Sequence, residues 1–320
     1  THFENRVKAL SGAENVFAMN TGMAAILNTF MVFAEAGKTI VTSNHLFGNT
    51  FALITKTLAR LGVKAQVADL SDTDTLDKII ADDACLIFAE YITNPQLEIV
   101  DIKKLSEVAH KHGLPLIVDT TAVPFTDIDA RELGIDVEVL SSTKYISGGA
   151  TSLGGLILDF GTFKEVNQRI RFEFLFNLGT YMTPQVAYMQ TLGLETLNVR
   201  YQKQAQNALD LAKALQQLPQ VKRVNYPGLS LDKPFGAMLT IDLESEQKCF
   251  DFLNSLRLIR RATNLFDNKS LAIHPYSTIF VGFTPKEKKQ MDIFDTTIRL
   301  SMGLEDVNDL FEDIKQALDK

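Results

Sequence analysis

The stretch "DVEVLSSTKYISGGATSLGGLILD", residues 136–159, joins two apolar runs through a segment of small residues that contains one lysine. The runs "DVEVLSS" (136–142) and "LGGLILD" (153–159) are rich in Val, Ile and Leu, which is typical of buried strands. Lys144 lies between them, among serines, threonines and glycines. Lysines usually lie on solvated surfaces, so this one either reaches out of a strand-end loop or serves chemistry that needs an amine.

The rest of the first half alternates strand-like and helix-like segments. Apolar runs predict five more strands, at 14–20, 39–43, 64–70, 85–92 and 114–120. Helical periodicity predicts helices over 22–37, 49–62 and 101–113. Because strands that are apolar on both faces alternate with helices, we expect an α/β domain with a mostly parallel seven-stranded sheet.

The pattern changes after about residue 180. A long helical region over 184–217 leads to strand-like "AMLTIDL" (237–243) and "LAIHPYS" (271–277) and to a closing amphipathic helix, "VNDLFEDIKQALD" (307–319). The sequence therefore predicts a large α/β domain over 1–183 and a smaller α+β domain over 184–320.

Composition excludes several classes of protein. The net charge of −7 comes from interspersed acidic and basic residues, which argues against a nucleic-acid partner. No apolar run approaches the about 18 residues that a membrane span needs, so we expect no membrane partner. Cys85 and Cys249 lie far apart and lack metal-ligand spacing, so we expect no metal site, and two reduced thiols in a cytoplasmic protein.

Polar residues follow several predicted strands, where open parallel sheets bind ligands. Asp119 ends one strand, Lys144 follows another, and Gly22 opens a helix directly after the first. A helix N-terminus suits a phosphate, a desolvated lysine is a nucleophilic amine, and a buried carboxylate needs a cationic partner. Pyridoxal 5′-phosphate (PLP) offers a phosphate, an aldehyde and a basic ring nitrogen, so it satisfies all three. Each signal alone is weak, because a strand-end aspartate is commonly a helix cap or a turn residue.

Two other classes of nucleotide- or cofactor-binding protein are excluded because their sequence motifs are absent. "SGGATSLGG" (147–155) does not match the GxxxxGK[ST] pattern of a phosphate-binding loop. No GxGxxG follows the first strand, which excludes a nicotinamide-dependent dehydrogenase.

The sequence resembles the Cys/Met-metabolism family of PLP enzymes, which includes cystathionine γ-synthase, the γ- and β-lyases and the homoserine-ester sulfhydrylases. The resemblance covers essentially the whole chain and implies PLP fold type I, the fold of aspartate aminotransferase. The motifs that carry it are "FENRVKALSGAENVFAMNTGMAAI" (3–26), "LFGNT" (46–50), "TNPQLEIVDI" (93–102), "LIVDTT" (116–121), "SSTKYISGGATSLGGLILD" (141–159), "LGLETL" (192–197), "YPGL" (226–229), "KSLAIHP" (269–275) and "IRLSMGLEDVNDL" (298–310).

The resemblance implies a role for each matching residue at the cofactor. Lys144 is expected to bind PLP covalently and to move protons at the substrate, and Asp119 to pair with the pyridine nitrogen. The remaining cofactor contacts implied are phosphate binding by the amides of Gly22 and Met23 and by the hydroxyls of Ser141 and Thr143, and contacts with the ring or its hydroxyl by Asn94 and Thr121.

The substrate side is implied in the same way, with departures from the family pattern. Arg299 would clamp the substrate α-carboxylate bidentately, for which a guanidinium suits better than an ammonium. Phe47 replaces the tyrosine that usually stacks on the ring, so stacking remains but the phenol is lost. The usual "SLGG" of the carboxylate pocket reads "NLFD" (264–267), which puts Asn264 at the serine position.

The resemblance also bears on assembly. Family members build their active sites at dimer interfaces and are usually tetramers, so we expect a homo-oligomer. Position 1 matches a point well inside the family pattern, just after a segment whose Tyr-x-Arg pair reaches a neighbouring subunit's phosphate. That N-terminal arm is therefore expected to be missing from this sequence, whether truncated or disordered.

The activity expected from the resemblance is γ-replacement on an activated homoserine, as in O-acetylhomoserine sulfhydrylases, giving homocysteine or methionine from sulfide or a thiol. The alternative within the family is a γ- or β-lyase that acts on sulfur amino acids. A non-catalytic scaffold is a further alternative, against which the intact Lys144, Asp119 and Arg299 argue.

Overall fold

The computed structural model describes residues 1–320 and divides into two compact units. The first comprises Thr1–Ile92, Val100–Ser147 and Thr151–Glu195; the second comprises Thr93–Ile99, Gly148–Ala150 and Thr196–Lys320. The predicted division after residue 183 differs from these units in two ways. The helix that ends at Glu195 lies in the first unit, and the segments 93–99 and 148–150 lie in the second. The Arg6 guanidinium pairs with the Glu195 carboxylate at 2.9 Å, which ties that helix to the N-terminal helix.

All seven strands predicted for the first half are present in one sheet of the first unit. They are β1 (Asn15–Met19), β2 (Thr39–Thr42), β3 (Lys64–Val67), β4 (Ala84–Glu90), β5 (Leu116–Asp119), β6 (Val137–Leu140) and β7 (Gly155–Asp159). Their order is β1-β7-β6-β5-β4-β2-β3. The pairs from β6 to β3 are parallel, and β7 is antiparallel to both of its neighbours. The prediction of a mostly parallel sheet is confirmed.

The helices of the first unit alternate with these strands. They are α1 (His2–Ser11), α2 (Gly22–Phe33), α3 (Gly48–Ala52), α4 (Thr73–Ile79), α5 (Ile102–Lys111), α6 (Lys164–Arg169), α7 (Leu175–Asn177) and α8 (Pro184–Glu195). The helix predicted over 49–62 consists of α3, a π-helical turn (Leu53–Thr57) and a 3₁₀ turn (Leu58–Leu61). Periodicity therefore located this segment but not its change of helical type.

The core of the first unit fixes α2 against the sheet. Phe30 of α2 is fully buried and meets Phe88 of β4 edge to face, with ring centroids 5.0 Å apart. Ile117 of β5 and Val139 of β6 belong to the same buried cluster. Such burial stabilises each large side chain by roughly 1.5–3 kcal/mol, so the position of α2 is set by packing. Its N-terminus is thereby held at the carboxyl end of β1.

The second unit has its own sheet and core. Its strands are β8 (Arg223–Asn225), β9 (Met238–Asp242), β10 (Arg260–Arg261), β11 (Leu271–Ile273) and β12 (Thr297–Ser301), in the order β10-β11-β12-β9-β8. Its helices are α9 (Leu197–Leu215), α10 (Pro227–Leu231), α11 (Glu246–Ser255), α12 (Pro285–Gln290) and α13 (Val307–Leu318). Apart from the parallel pair β10–β11, its strands are antiparallel, as an α+β unit requires.

Two features are absent from the structure. None of the helices combines the length and the apolar character needed to cross a membrane. No group of three or more His, Cys, Asp or Glu side chains is arranged to hold a metal ion.

Candidate active site

Lys144 lies in the turn that leaves β6, and its side chain is partly buried. The backbone N–H of Lys144 donates to the Ser141 carbonyl at 3.2 Å. The Ser147 hydroxyl donates to the Thr143 carbonyl at 2.7 Å, which closes the next turn of the loop. Small hydroxyl residues around Lys144 thus fold the backbone locally.

The N-terminus of α2 supplies amides with no acceptor in the protein. Thr21 caps the helix, since its hydroxyl accepts from the Ala24 N–H at 3.0 Å. The amides of Gly22 and Met23 belong to the first turn, where a helix has no internal acceptors. They are therefore available to an anion, which the positive end of the helix dipole also favours.

Ser141 approaches this helix end closely. A Cβ on Gly22 would lie 2.7 Å from the Ser141 Cβ and 3.1 Å from its Oγ, so only glycine fits. The Ser141 backbone N–H donates to the Thr121 hydroxyl at 2.8 Å, whereas the Ser141 hydroxyl makes no hydrogen bond within the protein. A hydroxyl and two amides without protein partners therefore lie together.

Thr143 differs from Ser141 in its hydrogen bonds. Its hydroxyl donates to the Gly154 carbonyl at 3.2 Å and accepts from the Gly154 N–H at 2.9 Å. The role predicted for Thr143 is donation of a hydrogen bond to a phosphate. That donation would require the Thr143 hydroxyl to give up its hydrogen bond to the Gly154 carbonyl. The prediction for Thr143 is thus weaker than that for Ser141.

The glycines after Lys144 approach other parts of the protein. A Cβ on Gly155 would lie 2.2 Å from the Thr21 carbonyl oxygen and 2.8 Å from the Gly22 nitrogen. Gly155 therefore lets β7 pass against the turn between β1 and α2. This close approach is one of backbone to backbone.

Asp119 ends β5 in a setting that disfavours its charge. Burial raises the pKa of its carboxyl, and hydrogen bonds from the Thr121 side chain and backbone partly offset this. The Thr121 N–H donates to the Asp119 Oδ1 at 2.8 Å. Because Thr121 also accepts from the Ser141 N–H, it links the acid to the amide–hydroxyl group at α2. No basic residue contributes to the pKa of Asp119, so a cationic partner would restore its ionised form.

Two further buried acids lie on the strands that flank β5, and neither was predicted from the sequence. Glu90 ends β4 directly opposite Asp119 in the sheet register, and its carboxylate accepts from the Phe47 N–H at 2.5 Å. Glu138 lies within β6 and is 1% exposed. The signal for each was a single acid inside an apolar strand, in "IFAEY" (87–91) and "DVEVL" (136–140).

Phe47 immediately precedes α3, and its side chain is partly buried. The hydrogen bond from its N–H to Glu90 fixes the backbone of this segment beside the end of β4. The structure thus gives the position a backbone anchor that does not depend on a phenol.

The second unit holds the other three predicted site residues, Asn94, Asn264 and Arg299. Arg299 of β12 is 2% exposed, and its guanidinium donates to the Asn94 Oδ1 at 3.0 Å. It also donates to the carbonyls of Thr263 and Asn264, at 3.2 and 3.3 Å. No carboxylate pairs with it, and burial lowers its pKa to about 9. A buried cation among neutral acceptors is a site for an anion.

The segment after Asn264 keeps a glycine-like backbone without a glycine. Phe266 has φ 58° and is buried, with its N–H donating to the Ser301 hydroxyl at 2.7 Å. A non-glycine residue in the left-handed region costs of order 1 kcal/mol, so packing must hold it there. The "NLFD" segment therefore places a phenylalanine in a backbone conformation that favours glycine.

Comparison with known proteins identifies the family. A family model described as Cys/Met metabolism PLP-dependent enzyme matches residues 1–319. The chain belongs to this family. It is thus a PLP-dependent enzyme, and the predictions of the family, of the cofactor and of an enzyme are confirmed.

Individual relatives carry two kinds of name. An L-methionine γ-lyase of Fusobacterium nucleatum is 34% identical over 334 residues, covering 100% of this chain and 84% of its own length. A solved O-acetylhomoserine (thiol)-lyase of Campylobacter jejuni aligns with a TM-score of 0.95 at 31% identity, over 99% of this chain and 86% of that one. An O-acetylhomoserine sulfhydrylase of Wolinella succinogenes aligns with a TM-score of 0.87 at 41% identity, over 99% of this chain and 95% of that one. The predicted fold type is confirmed.

The residues of the first unit fit this cofactor. The Campylobacter jejuni structure carries N′-pyridoxyl-lysine-5′-monophosphate, in which the cofactor is bonded to a lysine. Here the available amides of Gly22 and Met23 and the unpartnered Ser141 hydroxyl suit a phosphate. Asp119, with its raised pKa and no basic neighbour, suits a protonated ring nitrogen.

Proposed function

We propose that the protein catalyses γ-replacement on an activated homoserine. The bond from Cγ to the ester oxygen breaks, the ester leaves as a carboxylate, and a bond from Cγ to the sulfur of sulfide or a thiol forms. The observation that supports this choice is the alignment with an O-acetylhomoserine sulfhydrylase at 41% identity over 99% of this chain.

Each functional residue has a distinct task in this proposal. PLP, when bound, supplies an electron sink for the bonds at the substrate's Cα. Lys144 holds the cofactor and then accepts and returns protons at Cα and Cβ. Asp119 keeps a proton on the ring nitrogen by lying beside it as a carboxylate. Ser141, with the α2 amides, binds the phosphate.

Recognition of the substrate is assigned to the second unit. Arg299 is proposed to bind the α-carboxylate in a bidentate manner, since its guanidinium is buried and lacks a protein carboxylate. Asn94 orients the guanidinium through the bond at 3.0 Å. The Asn264 carbonyl, which accepts from the same group, fixes its other edge.

The test measures the products formed by the PLP-loaded enzyme from O-acetylhomoserine, with and without sulfide. We expect homocysteine and acetate when sulfide is present. Release of a 2-oxo acid and ammonia at the same rate whether or not sulfide is added would instead establish a lyase, as the γ-lyase relative suggests. L-Methionine as the sole substrate provides the second arm, because only a lyase converts it without an added thiol.

We also propose that the chain forms a homo-oligomer. The segment 172–192 of the first unit exposes several large apolar side chains, with Phe172 at 70% and Phe176 at 80% exposure. Several large apolar side chains exposed along one segment are typical of a subunit interface. Light scattering of the purified protein gives the mass directly. Phe176→Glu is expected to shift that mass towards the monomer, and a monomeric wild type would contradict the proposal.

The compartment is proposed from the cysteines. Cys85 and Cys249 are both free thiols, and burial raises the pKa of each. Unpaired, unreactive thiols fit the reducing environment of the cytoplasm.

A further inference from the structure

Glu138 is a buried carboxyl that the proposed mechanism leaves without a task. It lies in β6, next to the strand that carries Asp119, and it is 1% exposed. The Thr120 hydroxyl donates to the Glu138 Oε1 at 2.5 Å. Thr120 directly follows Asp119 in the chain, so the residue that is hydrogen-bonded to Glu138 is the sequence neighbour of Asp119.

The sheet register places the two acids on opposite faces. Val118 pairs with Glu138, and Asp119 pairs with Val139. Because side chains alternate along a strand, Glu138 shares the face of Val118 while Asp119 points to the other face. Glu138 therefore does not contact whatever Asp119 binds, and it can act only through the sheet.

No cation compensates Glu138. Its pKa is raised to about 7, first by burial and further by the negative charge of Asp119, while the Thr120 hydrogen bond lowers it in part. Of the other charged groups on adjoining elements, Asp159 of β7 bonds to Asn15, and Asp136 before β6 bonds to His110 of α5. Neither they nor Glu90 of β4 contribute to the shift. A buried acid without a partner gives little stability, so packing alone does not account for it.

We propose that Glu138 is a positioning residue for the protonation of the cofactor's ring nitrogen, acting across β5 through Thr120 and Asp119. The inference rests on the proposed pairing of Asp119 with that nitrogen. When Glu138 is ionised, its negative charge adds to that of Asp119 from the opposite face of the sheet. Both favour the protonated form of the nitrogen.

The charge of Glu138 becomes negative as the pH rises, which is the direction that favours a protonated ring nitrogen. In acid solution Glu138 is neutral, and Asp119 alone suffices because protons are abundant. As the pH rises through neutrality, Glu138 releases its proton to solvent and adds a negative charge. Over the same pH range, deprotonation of the ring nitrogen becomes more favourable. The second carboxylate thus extends the pH range over which the ring can accept electrons.

The test follows the ring nitrogen directly in the holoenzyme. The protein is loaded with PLP labelled with ¹⁵N in the ring, and the ¹⁵N chemical shift is recorded from pH 5.5 to 9.5, which separates protonated from neutral pyridine. Glu138→Gln keeps the shape and removes the charge. Thr120→Val keeps the charge and removes the hydrogen bond. Asp119→Asn reports the direct partner.

We expect the nitrogen of Glu138→Gln to lose its proton at a pH about one unit lower than in the wild type. In Thr120→Val the pKa of Glu138 rises further, so the curve should coincide with that of Glu138→Gln near neutral pH and approach the wild type above it. Identical curves for the wild type and Glu138→Gln, with a change only in thermal stability, would show that Glu138 is merely structural.

The Asp119→Asn variant separates the two proposals. If its curve shifts while that of Glu138→Gln does not, the role of Glu138 is wrong and the role of Asp119 stands. If its curve does not shift, the pairing of Asp119 with the ring nitrogen is wrong and the proposal for Glu138 fails with it. Neither result bears on whether the enzyme replaces or eliminates, which the product analysis decides separately.

Discussion

The guanidinium of Arg299 donates to the Asn94 side chain at 3.0 Å, and both residues are buried within the second unit. All of the acceptors around Arg299 are neutral, although a buried cation is costly without an opposite charge. Burial accordingly lowers the pKa of Arg299 to about 9. This arrangement suits an anionic ligand better than a structural role, because a structural arginine would have its own carboxylate.

Arg299→Lys should therefore weaken substrate binding and leave cofactor binding intact. A lysine cannot make the bidentate contact, and loss of a charged hydrogen bond costs about 1.5–3 kcal/mol, so KM for O-acetylhomoserine should rise roughly 10- to 100-fold. Steady-state kinetics measures this, with the visible band of bound PLP as a check. Arg200→Lys, at another buried arginine of the second unit, is the matched control and should leave KM unchanged. An unaltered KM for Arg299→Lys would remove Arg299 from the substrate site.

Ser141→Ala and Thr143→Val should separate phosphate binding from loop structure. Only the Ser141 hydroxyl lacks a partner in the protein, whereas that of Thr143 both donates to and accepts from Gly154. Loss of one hydrogen bond to a phosphate predicts a roughly tenfold rise in the Kd for PLP in Ser141→Ala. Thr143→Val should change the melting temperature more than the Kd. Fluorescence titration of the apoenzymes and thermal unfolding measure the two effects, and the reverse ranking would contradict this assignment.

Gly22→Ala should disturb the same phosphate site sterically. Its Cβ would come within 2.7 Å of the Ser141 Cβ, which forces α2 and the end of β6 apart. We expect a loss of PLP affinity larger than that of Ser141→Ala, since both amides and the hydroxyl move. Gly282→Ala is the control, because a Cβ there meets no atom within 4 Å and its φ is unstrained. PLP affinity equal to the wild type in Gly22→Ala would show that this helix end does not bind the cofactor.

The sequence predicted the sheet well because period and burial are local signals. Six of the seven strands are mostly buried, and β3 is the exception. Asp119 ends one of these strands and Lys144 follows another, which makes both recognisable. Glu138 was not predicted, because a single acid in a strand normally marks the solvent-facing side of that strand, whereas Glu138 is buried. Its burial follows from what covers both faces of β6, which depends on distant parts of the chain. The occupied hydroxyl of Thr143 likewise depends on Gly154, eleven residues away.

The raised pKa of Glu138 also predicts how stability depends on pH in the cofactor-free protein. The folded value of about 7 lies above the value of 4.5 for a free glutamate, so the folded state holds a proton that the unfolded state releases. The stabilising contribution is complete below pH 4.5 and is lost as the pH rises towards 7, with a total on the order of 3 kcal/mol. Glu138→Gln should lack this loss, so its free energy of unfolding should gain on the wild type between pH 5 and 8. Urea titrations at several pH values measure the difference, which includes the electrostatic interaction between Glu138 and Asp119. Parallel curves for the two proteins would mean that Glu138 keeps an ordinary pKa in the fold.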